Sequence, residues 1–374
     1  MNPLGKDTEL RYPFFMSEHS EKFVLFAPTV RMGGGRVLLE EVLPLLPSNS
    51  TLFLHSLMAK EYSHLLAQHR VITCESRWFA RLKMEWRLRS TVESRQPSDR
   101  FRVLCFGNLP PMFLKSAKHV QIRVFFQNVL ILPQAARKLF RWTQQVKFLV
   151  EEFLLRSMND TGMIYIVQTE DVRKQLQQVL PANHILVKSF VPLKVRALSE
   201  SETSVPNLSN GAVEFLAVSS MDAHKNLNGL LQAWILLAKA GIFPRLSMII
   251  PDQREFEMRW GQELHMARTL GCQIDLRSHL AHDDVLTCLK GARALVFTSW
   301  CESLGLPLVE ARMLKIPVIA PELDYVREVL DPVQTFDPTS TKSLARAIKR
   351  FLGVNDSKLD IQSGMDFIET VLKS

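Results

Sequence analysis

The stretch "RALVFTSWCESLGLPLVEARMLKIPVIA" (Arg293–Ala320) packs a strand, a loop, a helix and a second strand into one continuous segment. "RALVFTS" is an apolar run of the kind that fills a buried strand, and "IPVIA" is another. "WCESLGL" is the loop leaving the carboxyl end of the first. Pro307 suits the first helical turn, where its missing N–H costs nothing. The helix then runs through Val309, Glu310, Ala311 and Leu314. Strand–helix–strand units of this kind build parallel sheets, in which ligands bind beyond the carboxyl ends of the strands. Two acids, Glu302 and Glu310, stand eight positions apart in the segment that topology places there. A carboxylate accepts hydrogen bonds from two hydroxyls at once, which suits a ribose or a sugar. An acid near a helix start is also favourable by about 0.3–1 kcal/mol through the dipole alone. The spacing by itself leaves both readings open.

The same alternation runs through the chain. "KFVLFAP" is a buried-strand run, followed by the glycine turn "MGGGR" and the helically spaced "VLLEEVLPLL". "STLFLHS", "FRVLCFGNLPP", "VQIRVFFQN", "GMIYIVQTE" and "HILVKSFVP" read as further strands, with a long helical region over 133–158. After the serine-rich stretch at 193–211, strands and helices alternate again from "AVEFLAVSS" to late helices near 340–352 and 361–372. The expectation is an α/β protein of two doubly wound Rossmann-like domains facing across a cleft. Their bounds are 1–192, a linker at 193–211 and 212–374, the last helix being a candidate to pack back on the first domain.

At 374 residues, 47% hydrophobic and 22% charged, the chain has enough apolar content for two cores and is not of disordered composition. Its five cysteines form no CxxC pair, which argues against a disulfide framework or structural zinc. The N-terminal residues lack a signal-peptide pattern, and no apolar run reaches the length of a membrane span. The net charge of +8 is uneven: residues 1–190 hold 26 Lys+Arg against 16 Asp+Glu, and the remainder 20 against 22. Such a basic half suits an anionic membrane surface or nucleic acid, or is a plain solvated face. "RWFARLKMEWRLR" carries the cations Arg77, Arg81, Lys83, Arg87 and Arg89 interleaved with Trp78, Leu82, Trp86 and Leu88. That pattern fits a helix lying on an anionic bilayer, or an ordinary helix whose basic stems cover an apolar face. No nucleic-acid module is recognisable.

"ESLGLPLVEARMLKIPVIAPELDYVREVL" resembles the donor-site segment of the retaining GT-B glycosyltransferases of the large GT4 family, also called group 1. The resemblance implies that Glu310 binds the nucleotide ribose, that Glu302 lies beside the donor sugar, and that the backbone of Ser303, Leu304, Gly305 and Leu306 faces sugar and diphosphate. "FLAVSSMDAHKNLNGLLQAW" resembles the strand–loop–helix that brings a cation to the diphosphate, a role that falls on Lys225. Many members have an arginine five residues earlier, where this chain has Ser220. "TVRMGGGRVLLEEVL" resembles the family's glycine loop, so Gly33, Gly34 and Gly35 become candidates to approach the diphosphate. Where many members have a histidine touching the donor sugar, this chain has Gln127, followed by Asn128. Gln127 makes hydrogen bonds but cannot serve as an acid or base at neutral pH.

The implied reaction is transfer of a hexose from a nucleoside-diphosphate sugar to a glycan or lipid-linked glycan, with retention and without a protein nucleophile. "CFGNLPP" and "IVQTEDVRKQL" resemble members that build O-antigen and related lipopolysaccharide, which implies a cytoplasmic protein, peripheral on the inner face of the membrane. There is no DxD pattern, so no metal or other cofactor is expected; "HDD" at 282–284 reads as a helix cap. The departures at Ser220 and Gln127 keep one alternative open, a non-catalytic protein of the same fold that stabilises or regulates a transferase.

Overall fold

A computed structural model of the chain describes residues 21–31, 33–75, 80–93, 99–133, 135–190, 195 and 215–354. The expected linker at 193–211 (apart from Val195, which is buried), Arg77 and Trp78, and the late helix near 361–372 lie outside the described residues.

The described elements form two parallel sheets. The first has seven strands: β1 Glu21–Ala27, β2 Thr51–His55, β3 Arg70–Cys74, β4 Arg100–Phe106, β5 Val120–Phe125, β6 Ile164–Val167 and β7 His184–Val187. Their order is β3-β2-β1-β4-β5-β6-β7, and every pairing between them is parallel. Helices α1 Gly33–Val42, α2 Ser56–Glu61, α3 Ala80–Glu93, α4 Trp142–Met158 and α5 Glu170–Val179 connect them. Central strands such as β2 are apolar and almost fully buried, as a parallel sheet covered on both faces requires. The edge strand β3 is only partly buried. The glycine turn expected at 33–35 is the first turn of α1 itself, entered through Gly33 at φ 68°.

The second sheet has six strands: β8 Phe215–Val218, β9 Leu246–Ile250, β10 Ile274–Ser278, β11 Ala294–Val296, β12 Val318–Pro321 and β13 Gln334–Phe336. Its order is β10-β9-β8-β11-β12-β13, again all parallel. Helices α6 Leu227–Lys239, α7 Gln253–Thr269, α8 His282–Lys290, α9 Leu306–Met313, α10 Asp324–Val329 and α11 Thr341–Phe351 complete it. Side chains alternate between two cores, as the pleat dictates. Phe215 and Ala217 of β8 join Trp234 of α6, Phe256 of α7 and Ile348 of α11 on one face. Leu216 joins Leu289 of α8, Leu308 and Ala311 of α9 and Val326 of α10 on the other.

Two compact units result. One comprises Met1–Gln127, Leu149–Val167 and Gln175–Lys188; the other Asn128–Phe148, Gln168–Lys174 and Ser189–Ser374. The second unit therefore takes two short segments from the chain that leaves β5 and β6.

In the second sheet the chain runs outward from β8 through β9 and β10, then returns to β11 on the far side of β8. The strand order reverses between β8 and β11, and the loops leaving these neighbours open a crevice that in doubly wound sheets is the binding position.

Candidate functional site

The loop after β8 places Lys225 at this crevice. It ends a 3-10 turn, Ala223–Lys225, and Asn226 behind it adopts a left-handed conformation before α6 begins. The loop after β11 fixes that turn in place. Thr298 Oγ1 donates to the Lys225 carbonyl at 2.7 Å, and the Trp300 amide donates to the His224 carbonyl at 2.8 Å. Lys225 Nζ forms an ion pair with Glu302 Oε1, and both side chains are mostly buried. The two residues that the sequence singles out for the sugar and diphosphate thus meet, although 77 positions separate them. Ser220, standing in place of the family's arginine, donates instead to Asp222 Oδ2 at 2.7 Å.

Glu310 is not a first-turn surface acid. It is the fifth residue of α9 and only 4% exposed. A carboxylate that far out of water is costly unless it is paired. Its partner is His282, whose Nε2 lies 2.7 Å from Glu310 Oε1. His282 is the first residue of α8, and Ala281 is the cap, without a side-chain cap bond. The "HDD" reading as a cap therefore gives way to a different arrangement: His282 turns to Glu310, and Asp283 and Asp284 complement the helix dipole in the first turn. His282 is the residue that sequence reasoning missed. Its place just past the end of β10 was readable in the sequence, whereas its meeting with Glu310 was not.

Gly305 forms the entry to α9 at φ 74°, and no side chain caps the helix. Pro307 has no N–H, and the Leu308 and Val309 amides donate to the Gly305 carbonyl, so the Leu306 amide and the positive dipole end are what the terminus offers a ligand. The position is closely packed: a Cβ there would lie 3.1 Å from Leu308 Cδ1 and 3.4 Å from Phe297 Cζ. Left-handed backbone strain adds to that crowding, so Gly305→Ala should destabilise the protein by roughly 1–2 kcal/mol. Thermal denaturation checks this; an unchanged melting curve would mean that the loop relaxes freely.

Ser303 and Leu304 are buried. The Val129 amide donates to Ser303 Oγ at 3.2 Å, and Thr169 Oγ1 donates to the Ser303 carbonyl at 3.1 Å. Leu304 packs in the core, and Leu306 is half-buried beside it. Ser303 thus holds the loop to the segment after β5 through its side chain and to the segment after β6 through its carbonyl. Asn128 caps the short turn Val129–Ile131 by accepting from the Leu130 amide at 3.1 Å. From the same segment, Phe140 stacks on the His224 ring with centroids 5.8 Å apart. Burial lowers the His224 pKa and so favours the neutral imidazole, against the opposing pull of Glu302. Next to Glu302, burial pushes the Cys301 thiol up to about 12, which removes it as a nucleophile at neutral pH.

In the first unit, Gly33, Gly34 and Gly35 follow the carboxyl end of β1 and open α1. Gly35 runs against the Gln127 side chain: a Cβ there would lie 2.9 Å from Oε1. The Gln127 amide donates to Asn108 Oδ1 at 3.0 Å. On α3, Lys83 and Arg87 are exposed, whereas Arg81 binds the fully buried Glu85 side chain at 3.3 Å and Arg89 pairs with Glu93 at 2.8 Å. Among the described residues, no group of three or more His, Cys, Asp or Glu is placed to hold a metal ion.

Known proteins resemble this chain in sequence and in fold. Residues 199–362 match the family model of glycosyl transferases group 1. O-antigen chain mannosyltransferase B of Escherichia coli is 28% identical over 138 residues, covering 37% of this chain and 36% of that protein. The match thus spans about a third of that relative's length. Among solved structures, sucrose-phosphate synthase from Thermosynechococcus elongatus aligns with a TM-score of 0.60 at 14% identity, over 89% of this chain and 90% of that one. A trehalose-6-phosphate structure from E. coli, bound with UDP-2-fluoro glucose, aligns at 0.59 with 12% identity, over 90% and 92%. At such identities the likeness is one of fold, and the fold is GT-B. Over residues 199–362, the chain is similar to the glycosyl transferases group 1 family.

Proposed function

We propose that the protein transfers a hexose from a nucleoside-diphosphate sugar to a glycan or lipid-linked glycan, with retention, in the assembly of a surface polysaccharide of the O-antigen type. The observation that carries this reading is a pair of contacts beyond the carboxyl ends of the second sheet's strands: Lys225 with Glu302 on the loops after β8 and β11, and His282 at the start of α8 with Glu310 in α9. The relative that acts on O-antigen chains and the similar fold bound with UDP-2-fluoro glucose support it.

Each group then has a distinct task. Glu310 accepts the two ribose hydroxyls, and His282 holds its carboxylate in the orientation they need. Lys225 and the uncapped start of α9 take up the charge that grows on the diphosphate as the glycosidic bond breaks. Glu302 keeps Lys225 aimed and lies where the donor sugar extends. No protein nucleophile is assigned, in keeping with attack by the acceptor hydroxyl on the face the diphosphate leaves. No metal is assigned, since Lys225 and the helix terminus supply the positive charge. The acceptor, on this reading, is presented at the cytoplasmic face of a membrane, which the exposed cations Lys83, Arg87 and Arg89 suit.

The test is incubation of the purified chain with GDP-, UDP- and ADP-sugars, without acceptor, while free nucleoside diphosphate is measured. Slow hydrolysis of one donor, lost in Lys225→Ala, is expected. No release from any donor, with or without extracted lipid-linked glycan, would contradict the assignment.

A further inference from the structure

Helix α4 is apolar on the side that should be wet. It buries Phe148 and Leu155, which lie on one face. At 3.6 residues per turn, Trp142, Val146, Leu149, Val150 and Phe153 fall within an arc of about 100° on the opposite face. All five are exposed, Trp142 by 75%, Leu149 by 57% and Phe153 by 67%. Single apolar side chains at a surface need no explanation, but a continuous stripe on the outer face of one helix marks a surface that meets something else.

The charges around the stripe indicate what it meets. Lys138, Arg141, Lys147 and Arg156 are exposed along this segment, whereas Glu151 and Glu152 are half-buried, Glu152 held by Arg156 at 3.0 Å. Helix α3 adds to the same pattern. The crossovers from β3 to β4 and from β5 to β6 advance in the same direction along the sheet, so right-handed connections put α3 and α4 on one face. There α3 buries Met84 and Leu88 and exposes Leu82 and Trp86 beside Lys83, Arg87 and Arg89. Aromatic and aliphatic side chains edged by cations match the boundary of an anionic bilayer, where the apolar groups reach the acyl chains and the cations meet headgroups. A second copy of the chain would instead bring like charges together. With 17 residues and four charged ones among them, α4 does not cross a membrane, and it is suited to lie in the interface plane.

We propose that α4 docks the protein on an anionic lipid surface, with the Trp142–Phe153 stripe seated at the headgroup boundary. The proposal names the surface on which the acceptor of the transfer reading is met, but it stands on the helix face alone. Following nucleoside diphosphate binding alongside keeps the failure of one distinct from the failure of the other.

The test is co-sedimentation of the full chain with vesicles of phosphatidylcholine, alone or with phosphatidylglycerol, at low salt. The wild type should sediment only with the anionic vesicles. The variant Val146→Gln/Leu149→Gln/Phe153→Gln should bind them at least about tenfold more weakly, with an unchanged circular dichroism spectrum, because the three side chains are exposed. Lys83→Gln/Arg87→Gln should weaken binding chiefly by removing its salt dependence. Failure of the wild type to sediment, or equal sedimentation of wild type and triple variant, would overturn the proposal. So would a wild-type dimer that the triple substitution converts to monomer in sedimentation velocity, since a second copy would then cover the stripe.

Discussion

Lys225→Ala is expected to lower turnover by about two to three orders of magnitude, the loss typical when a preorganised group at developing charge is removed, roughly 3–4 kcal/mol. The structure adds a second effect. Lys225 is the partner of Glu302, whose side chain is 14% exposed, so the single substitution leaves that carboxylate unpaired and lowers stability as well. The two effects separate in the double variant Lys225→Ala/Glu302→Gln. It should regain most of the lost melting temperature, because no uncompensated charge remains, and regain none of the turnover. Steady-state rates beside melting curves check both. Turnover returning with stability would mean that Lys225 supports the fold and not the diphosphate.

Glu310→Ala is expected to weaken nucleoside diphosphate binding by about one to two orders of magnitude, since charge-assisted hydrogen bonds contribute roughly 1.5–3 kcal/mol each. Glu310→Gln should be milder, because an amide still accepts one hydroxyl. The partner at 2.7 Å makes a further expectation: His282→Ala should raise KM for the donor with little change in kcat, because it loosens Glu310 in ground state and transition state alike. Glu302→Gln should behave in the opposite way, leaving nucleotide affinity nearly intact and depressing kcat. If Glu310 and Glu302 were acids that merely complement a helix dipole, both substitutions would cost a little stability and neither would change binding selectively. The 4% exposure of Glu310 argues against that alternative already.

Much of the fold was legible in the sequence because buried parallel strands are written as unbroken apolar runs. "FLAV", "LSMII" and "VIAP" are strands almost without a polar atom, and each sits inside its sheet. The strands that escaped notice are edges. In β3, the sequence "RVITC" is partly exposed and alternates weakly, and β13 is only three residues long. The glycines at 33–35 read as a turn because glycine opposes helix formation, yet α1 begins at Gly33 and runs through them to the buried Leu38 and Leu39. Within the site, the loop after β11 was readable as one segment, down to the proline at the helix start. The pairings were not, because they join distant parts of the chain. Lys225 meets Glu302 only because β8 and β11 are neighbours, and His282 meets Glu310 only because α8 and α9 share one face of the sheet. Local sequence carries no record of either meeting. Equally hidden was the stripe on α4, since its apolar residues have the spacing of any core-facing helix and only the structure gives the side on which the core lies.

Nucleoside diphosphate binding at the β8/β11 reversal is the centre of the account, and a thermal-shift titration of the full chain with GDP, UDP and ADP tests it most directly. One nucleotide should stabilise the wild type by about 2.7 kcal/mol at 100 times its Kd, and at the same concentration the shift should fall to about 0.4–1.4 kcal/mol in Glu310→Ala. A chain that none of the three stabilises, or one whose shift survives in Glu310→Ala undiminished, would contradict it.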